Sequence, residues 1–496
     1  MNTVLGIDLG TQSLKVVFYN YETKQIQASA SRPLTVQRDD HGAAEQEASA
    51  WLAALQQCCA EIPGSVKQSV RAIGVSGQQH GFVALDASDQ VLCPVKLWCD
   101  TATQDQADAI HAACGGRERV IEVAGNPILV GYTASKIRWL KDSQPQAYAR
   151  LAHILLPHDF LNFVLTGIKA MEYGDASGTG LLNVRTRAWS DEVCRAVDED
   201  QDLKALLPPL IAPDEPLGTT VTDFARACGL PLDVPVAPGG GDNMMAAIGT
   251  GNVVSGQLTM SLGSSGTLFA YSDRAVVDPS GDIAGFCSST GGWLPLVCTM
   301  NCTLGTELVR MPLGVGLENF EQVLNTAEPG AGGLLTLPFF GGERMPNLPN
   351  ARGSILGISP DNFDAPNLLR SQVEAATYGL KYGLEALVSL GIEAREITLT
   401  GGGANSPAWR QIVADIFELQ VVAPEVDEGA ALGAALQALW ILSCMQQGPS
   451  PISSITNEHV ANRPSTRVEP QSYRFDVYRE HYDRYRHAVD FLAGFY

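Results

Sequence analysis

Val4-Leu5-Gly6-Ile7-Asp8-Leu9-Gly10-Thr11-Gln12-Ser13-Leu14-Lys15-Val16-Val17 reads as a buried strand, a tight turn of Gly, Thr and Ser, and a second strand. Past the midpoint, Leu258-Thr259-Met260-Ser261-Leu262-Gly263-Ser264-Ser265-Gly266-Thr267-Leu268-Phe269-Ala270 reads the same way. In each, β-forming residues run up to a glycine followed by small hydroxyl residues, whose backbone N–H groups and hydroxyls can surround phosphate oxygens. The candidate phosphate contacts are Gly10, Thr11, Gln12 and Ser13 in the first turn and Gly263, Ser264, Ser265 and Gly266 in the second. Two such hairpins in one chain predict two similar lobes clamping a polyphosphate, and so a nucleotide-handling protein. The copies are unequal. Asp8 stands one step before the first turn, placed to hold Mg2+ through water and orient the β- and γ-phosphates, whereas Ser261 occupies the matching place in the second. Alone, Asp8 would equally suit a plain turn cap.

The 496-residue length and 45% hydrophobic content predict at least two ordinary-sized domains, each with its own core. A formal net charge of −21 argues against any broad nucleic-acid or anionic-membrane surface and suits a neutral substrate with a metal-screened nucleotide. The 11 cysteines form no C-x-x-C pair, which disfavours a zinc site or a disulfide framework. The N-terminus lacks a cationic region, and no segment reaches the roughly 18 uninterrupted apolar residues of a membrane span. These features predict a soluble, cytoplasmic chain.

The first lobe is expected over residues 1–248 and the second over 249–496. Strands alternating with helices of about ten residues or more predict a mixed α/β sheet covered by helices in each. A strand is expected at Val70–Ser76 and another at Phe82–Leu85, joined by the loop Gly77-Gln78-Gln79-His80-Gly81. In the second lobe a long helix is expected from Asn367 to about Gly391, then a strand at Glu396–Thr400 and the turn Gly401-Gly402-Gly403-Ala404-Asn405. Ser406 as N-cap and Pro407 at the first helical position open the next helix. The Ala-rich helix beginning at Gly429, with Gly433 inside, has a face small enough to pack closely on a neighbour or a bound base.

Val236-Ala237-Pro238-Gly239-Gly240-Gly241-Asp242-Asn243 carries the chemistry. Three glycines let the backbone approach a ligand, and Asp242 then opens a helix in the lobe-joining region. It is a candidate base for an attacking hydroxyl, although a plain N-cap reads the same way in isolation. Gln79 and His80 present an amide and an imidazole that can fix sugar hydroxyls, and a structural loop histidine is the competing reading. Trp98 and Asp100 add a stacking face and an acceptor. The Gly401–Gly403 turn lacks the third glycine of a dinucleotide fingerprint and suits a floor beneath an adenosine. No P-loop, protein-kinase, zinc-protease or nucleophile-elbow motif is present.

Gly6-Ile7-Asp8-Leu9-Gly10-Thr11, Gly239-Gly240-Gly241-Asp242-Asn243, Ser261-Leu262-Gly263-Ser264-Ser265-Gly266, Gly342-Glu343-Arg344-Met345-Pro346 and Gly401-Gly402-Gly403-Ala404-Asn405 together resemble the FGGY carbohydrate kinases, in order and spacing, over nearly the whole chain. Gly131 to Leu140 and Gly353 to Ile358 resemble further signatures of that family. The resemblance implies two actin-like lobes of the ribonuclease-H type with a catalytic cleft between them. It implies Asp242 as base, Asp8 in the Mg-nucleotide site, Gln79 and His80 on a ketose with Asn243 beside them, the Gly263–Gly266 turn on phosphates, and Gly402, Gly403 and Asn405 along the adenosine. Mg-ATP as donor, a sugar acceptor and frequently a homodimer follow from it too. The loops at Ser76–Gly81 and Leu97–Asp100 resemble most the members that phosphorylate D-xylulose at O5. Gln79 stands where those members usually carry Met, Thr101-Ala102 where an Arg is common nearby, and Ser264 in place of Thr. Ribulose, fuculose, gluconate, glycerol or a signalling molecule are alternative acceptors. An ATP-switched actin- or chaperone-like binding protein is the rival from another class.

Overall fold

Residues 2–496 are described in the computed structural model. Both expected hairpins form. In the first half, strand Thr3–Leu9 pairs antiparallel with Ser13–Asn20, which pairs with Gln25–Pro33, while on its other side Thr3–Leu9 runs parallel to Val70–Gly77. In the second half, Gly256–Leu262 pairs antiparallel with Gly266–Ala270, which pairs with Trp293–Thr299, and runs parallel to Ala394–Thr400. The next parallel strand is Pro235–Val236 in one sheet and Gln420–Val422 in the other. The repeat seen in two short motifs is therefore a repeat of whole sheets, and Asp8 and Ser261 hold equivalent places. Asp8 sits opposite Ser76 on its parallel neighbour, and Ser261 sits opposite Thr400 on its own.

Each sheet has an apolar core, one around Trp51, Phe18 and Ile73 and the other around Trp409, Tyr378 and Leu399. A third cluster joins Phe82 and Ala84 to Ile137, Val193 and their neighbours in the helices between residues 104 and 207, which form an insert on the first lobe. The long second-lobe helix spans Ala365–Ser389, beginning two residues before the expected Asn367. Asp364 caps it by accepting the Asn367 N–H at 2.9 Å, so Asn367 is the third helical residue. Ser406 caps Pro407–Phe417 as expected, its side chain accepting the Trp409 N–H at 3.0 Å.

The helix Gly429–Gln447 belongs by sequence to the second half but lies against the first half's sheet and against the helix Asp242–Gly249. Its small face packs on a neighbour. A Cβ on Gly6 or Gly74 would stand 1.9 Å from the carbonyl oxygen of Ala431 or Ala434, so strand and helix backbones touch. Among the described residues it is the one helix long and apolar enough, by length and composition, to cross a membrane. Here Ala431 through Ile441 are buried between the lobes. Its buried Gln437 accepts the Gly239 N–H at 2.9 Å and donates to the Gly239 carbonyl at 3.0 Å, fastening the loop that carries Asp242.

Candidate active site

Three parallel segments end side by side: Thr3–Leu9, Val70–Gly77 and the short Gly240–Gly241, whose residues pair with Ser76 and Gly77. Their carboxyl ends carry Asp8, the Gln78–His80 loop and Asp242, in the crevice where open α/β sheets bind ligands. Gly239 has φ +79, and a side chain there would meet the Val75 carbonyl at 2.5 Å, so only glycine lets this segment enter the sheet. The helix after it spans Asp242–Gly249 with Gly241 as N-cap. Asp242 is thus its first residue rather than its cap, with Oδ1 accepting the Asn243 N–H at 2.9 Å. Burial, reinforced by the charges of Asp8 and Asp175, pushes the Asp242 carboxyl up to about 7. Burial also raises Asp8, against the Ser76 hydroxyl that donates to its Oδ1 at 2.7 Å.

The Gln79–His80 loop is built into the same site. Asn243 Nδ2 donates to Gln79 Oε1 at 2.8 Å, leaving the buried Gln79 Nε2 without a partner. His80 lies at φ +65, its ring against Tyr132 and Phe286 at centroid distances of 4.7 and 5.6 Å. Burial, then the charges of Lys136 and Arg344, lower its pKa to about 3, so the imidazole is neutral and offers one donor and one acceptor. Thr11 donates to Gln78 Oε1 at 3.0 Å and accepts the Trp98 indole N–H at 2.9 Å. Its hydroxyl therefore ties the Gly10–Ser13 turn to the Gln78–His80 loop.

Asp100 is a correction to the sequence reading. It is fully buried, with Oδ2 taken by Lys96 Nζ at 2.9 Å and the Ala44 N–H at 3.0 Å, and Oδ1 by the Ala102 N–H at 3.0 Å. Both oxygens anchor the loop, and neither is offered to a sugar. Trp98 keeps its ring face, with its N–H spent on Thr11.

In the second lobe, the carbonyls of Gly263 and Ser264 accept the N–H groups of Thr303 and Leu304 at 2.9 and 3.3 Å, fixing the second turn onto the helix Thr303–Arg310. A Cβ on Gly401 would lie 2.7 Å from the Leu262 carbonyl carbon, so the Gly401–Asn405 turn sits directly against the Gly263–Gly266 turn. A Cβ on Gly402 would meet nothing within 4 Å, while Gly403 is buried against Leu262 and Trp409. Gly402 thus forms an open floor and Asn405 an exposed edge.

Two further buried groups adjoin the Gly241 and His80 segments. His158, Asp159 and Asp175 are fully buried, with Nδ1 of His158 2.9 Å from Asp175 and Nε2 2.9 Å from Asp159. Burial opposes the His158 charge, but the two carboxylates outweigh it and hold the ring protonated. Asp175 lines the site, since a Cβ on Gly241 would stand 3.1 Å from its unpartnered Oδ1. The second group is Lys136, buried and donating to the carbonyls of His80 at 2.7 Å and Gly131 at 2.8 Å. It lies within the quoted Gly131–Leu140 signature, the one signal that pointed to it. Lys136→Met removes the hold on a positive-φ residue. Sugar KM is expected to rise about 10-fold, the scale of one lost charge-assisted hydrogen bond, with ATP KM unchanged in steady-state kinetics.

Two sheets of one topology, each with a Gly/Ser turn between its first two strands, and half-buried carboxylates at the carboxyl ends of the first lobe's strands define a two-lobed protein of the actin-like fold. The family models for the N-terminal and C-terminal domains of FGGY carbohydrate kinases match residues 3–249 and 245–442. The chain belongs to the FGGY family of carbohydrate kinases. It is 39% identical over 488 residues to a protein named xylulose kinase from Haemophilus influenzae, covering 97% of this chain and 98% of that one. A xylulose kinase of Bacillus subtilis is 31% identical, covering 100% and 99%. Among solved structures, one described as a xyloylose kinase from Brucella ovis superposes with TM-score 0.91 at 29% identity, covering all of both chains.

Proposed function

We propose that the protein is an ATP-dependent xylulokinase that transfers the γ-phosphate of ATP to the 5-hydroxyl of D-xylulose, with Asp242 as general base. The observation that carries this reading is the half-buried Asp242 carboxylate just after Gly240–Gly241, with the strand that leads into the Gln79–His80 loop lying between it and the strand that carries Asp8. The full-length relatives named xylulose kinase support the acceptor.

Residues 1–248 supply the sugar site and base, and 249–496 the nucleotide site. Gln79 Nε2, free of protein partners, donates to a sugar oxygen, and the neutral His80 ring, the Trp98 face and Asn243 complete the pocket. The turns Gly10–Ser13 and Gly263–Gly266 hold phosphate oxygens through their hydroxyls and open N–H groups, the Gly10 N–H being taken by the Ser13 carbonyl at 3.0 Å, and Gly402, Gly403 and Asn405 border the adenosine. As O5 bonds to the γ-phosphorus and the bond from that phosphorus to the β,γ-bridging oxygen breaks, the O5 proton passes to Asp242 and ADP leaves. Positioning supplies most of the rate, and water is kept from the γ-phosphate by the meeting of the lobes.

Mg2+ fits the residues present. Asp8 keeps an oxygen beyond its Ser76 bond, and among the described residues no group of three or more His, Cys, Asp and Glu forms a ready cage. Mg2+ commonly takes one or two carboxylates and fills its shell with water and phosphate oxygens. When bound, it neutralises charge on the β- and γ-phosphates. Asp8→Asn is expected to raise the Mg2+ concentration for half-maximal activity about 10- to 100-fold, the usual scale for an outer-shell ligand, read from a Mg2+ titration.

The deciding experiment is a coupled ADP-release assay over D-xylulose, ribulose, fuculose, gluconate and glycerol. D-xylulose is expected to give the highest kcat/KM. No release above background with any acceptor removes the kinase reading, and a clear preference for another acceptor moves the assignment within the family.

A further inference from the structure

Asp242 follows three glycines, which have no side chains to fix their own path, and two buried side chains that no step of the transfer uses lie against them. A Cβ on Gly239 would stand 3.0 Å from His158 Cδ2, and one on Gly241 would stand 3.1 Å from Asp175 Oδ1. His158 also lies under the other loop of the site. A Cβ on Gly77, which leads into Gln78–His80, would meet the His158 backbone nitrogen at 2.7 Å and its Cβ at 3.0 Å.

The pair is itself held at both ends. His158 is the second residue of the helix Pro157–Thr166, in which Asp159 Oδ2 accepts the Leu156 N–H at 2.9 Å while Oδ1 lies 2.9 Å from His158 Nε2. Asp175 belongs to the helix Tyr173–Ser177, which Glu172 caps by accepting the N–H groups of Gly174 at 2.6 Å and Asp175 at 2.5 Å. His158 Nδ1 joins the two helices, 2.9 Å from Asp175 Oδ2. All three side chains are shut off from solvent. Only an imidazolium has a donor for each carboxylate, so a cation is locked between two anions where water screens their attraction little.

One oxygen of Asp175 is thus spent on His158. The other, Oδ1, has no protein partner and lies against Gly241, and the same would-be Cβ of Gly241 stands 2.6 Å from Gln79 Cγ. Asp175 and Gln79 therefore close over the residue that precedes the base. We propose that His158 and Asp175 are positioning residues for Asp242: the imidazolium tethers Asp175, and the tethered carboxylate holds the Gly239–Gly241 loop so that the base meets the acceptor hydroxyl. This rests on the reading of Asp242 as general base. Neither side chain takes the proton. They set the distance over which it moves, where a misplacement of about 1 Å can cost on the order of 100-fold in rate.

The test uses the full-length protein carrying His158→Gln, His158→Lys or Asp175→Ala, each alone and combined with Asp242→Ala, assayed by ADP release with its best acceptor from the panel above. His158→Gln and Asp175→Ala are expected to lower kcat about 10- to 100-fold with little change in the KM of acceptor or ATP. His158→Lys keeps a cation beside Asp175 and is expected to lose less. His158→Gln strands two buried carboxylates; should it fail to fold, Asp175→Ala, which leaves His158 paired with Asp159, decides the matter. In the Asp242→Ala background the base to be positioned is gone, so either substitution is expected to lower the residual turnover by less than about 2-fold. An equal fall in both backgrounds marks a role that does not pass through the base and overturns the inference. So does wild-type turnover in Asp175→Ala, or a loss confined to KM. Near-normal turnover of Asp242→Ala alone removes the base reading and this inference with it, while a slow Asp242→Ala beside an indifferent Asp175→Ala removes the inference alone.

Discussion

An Asp242→Ala variant turns over about 10²- to 10⁴-fold more slowly than the wild-type protein, the usual size of a general-base effect, and keeps its affinity for ATP. Nucleotide affinity survives because the phosphate turns and the Gly401–Asn405 floor are built from other segments. Isothermal titration with a non-hydrolysable ATP analogue, beside steady-state turnover, separates the two effects. Near-normal turnover would remove Asp242 from the mechanism. The same carboxyl makes a stability prediction. Its pKa rises from 3.8 in the unfolded chain to about 7 in the folded one, through burial first and then Asp8 and Asp175. The folded state thus binds the proton more tightly, and the cost to stability is absent below the unfolded value, grows as pH rises, and is complete above about pH 7. Asp242→Asn is therefore expected to melt at a higher temperature than the wild type at pH 8 without Mg2+ or nucleotide, with the gain fading as pH falls towards 4. Function holds an ionised carboxylate where the fold alone would prefer a neutral group.

Gly433→Ala is expected to abolish folding or to cost about 4 kcal/mol or more, among the largest effects of a single substitution. Helix propensity points the other way, favouring Ala over Gly by about 1 kcal/mol. Contact decides the sign. The added Cβ would stand 1.8 Å from the Met245 carbonyl oxygen, 2.7 Å from its carbon and 2.9 Å from the Gly249 nitrogen. These are backbone atoms of the helix Asp242–Gly249, so no rotamer relieves the clash and the two helices must separate. Separation breaks further close contacts in the same layer, at Gly249 against Gly429, Gly6 against Ala431 and Gly74 against Ala434, each with a would-be Cβ 1.9 Å from a carbonyl oxygen. It also pulls Gln437 from Gly239 and so displaces the loop of the base. Urea unfolding measures the cost, with Gly402→Ala as control, since a Cβ there meets nothing within 4 Å and stability should be unaffected. A Gly433→Ala protein as stable as the wild type would mean that the helix layer is loosely packed.

The parts of the site legible in the sequence were those with local causes. A turn built on Gly10 or Gly263, a glycine loop ending in Asp242 and a helix opened by Ser406-Pro407 each follow from backbone geometry within a few residues. His158 and Asp175 were not legible, and Lys136 was so only as part of the quoted Gly131–Leu140 signature. Their roles come from partners far along the chain: Lys136 acts on His80, and Asp175 meets Gly241. Asp100 misled for the same reason. An aspartate beside a tryptophan near a sugar loop looks available until folding brings Lys96 and the Ala44 N–H to its oxygens.

By itself the sequence determined two hairpin-led lobes, the inequality of their Gly/Ser turns and a glycine loop that ends in Asp242 at a helix start, because strand, turn and helix-start signals are short-range. Only the tertiary structure decided that the two sheets share one topology, and that a helix from the second half lies on the first half's sheet and grips the loop of the base. It alone spent Asp100 on the interior and left Gln79 with a free donor. Those outcomes depend on which surfaces meet and which polar atoms find partners when they do.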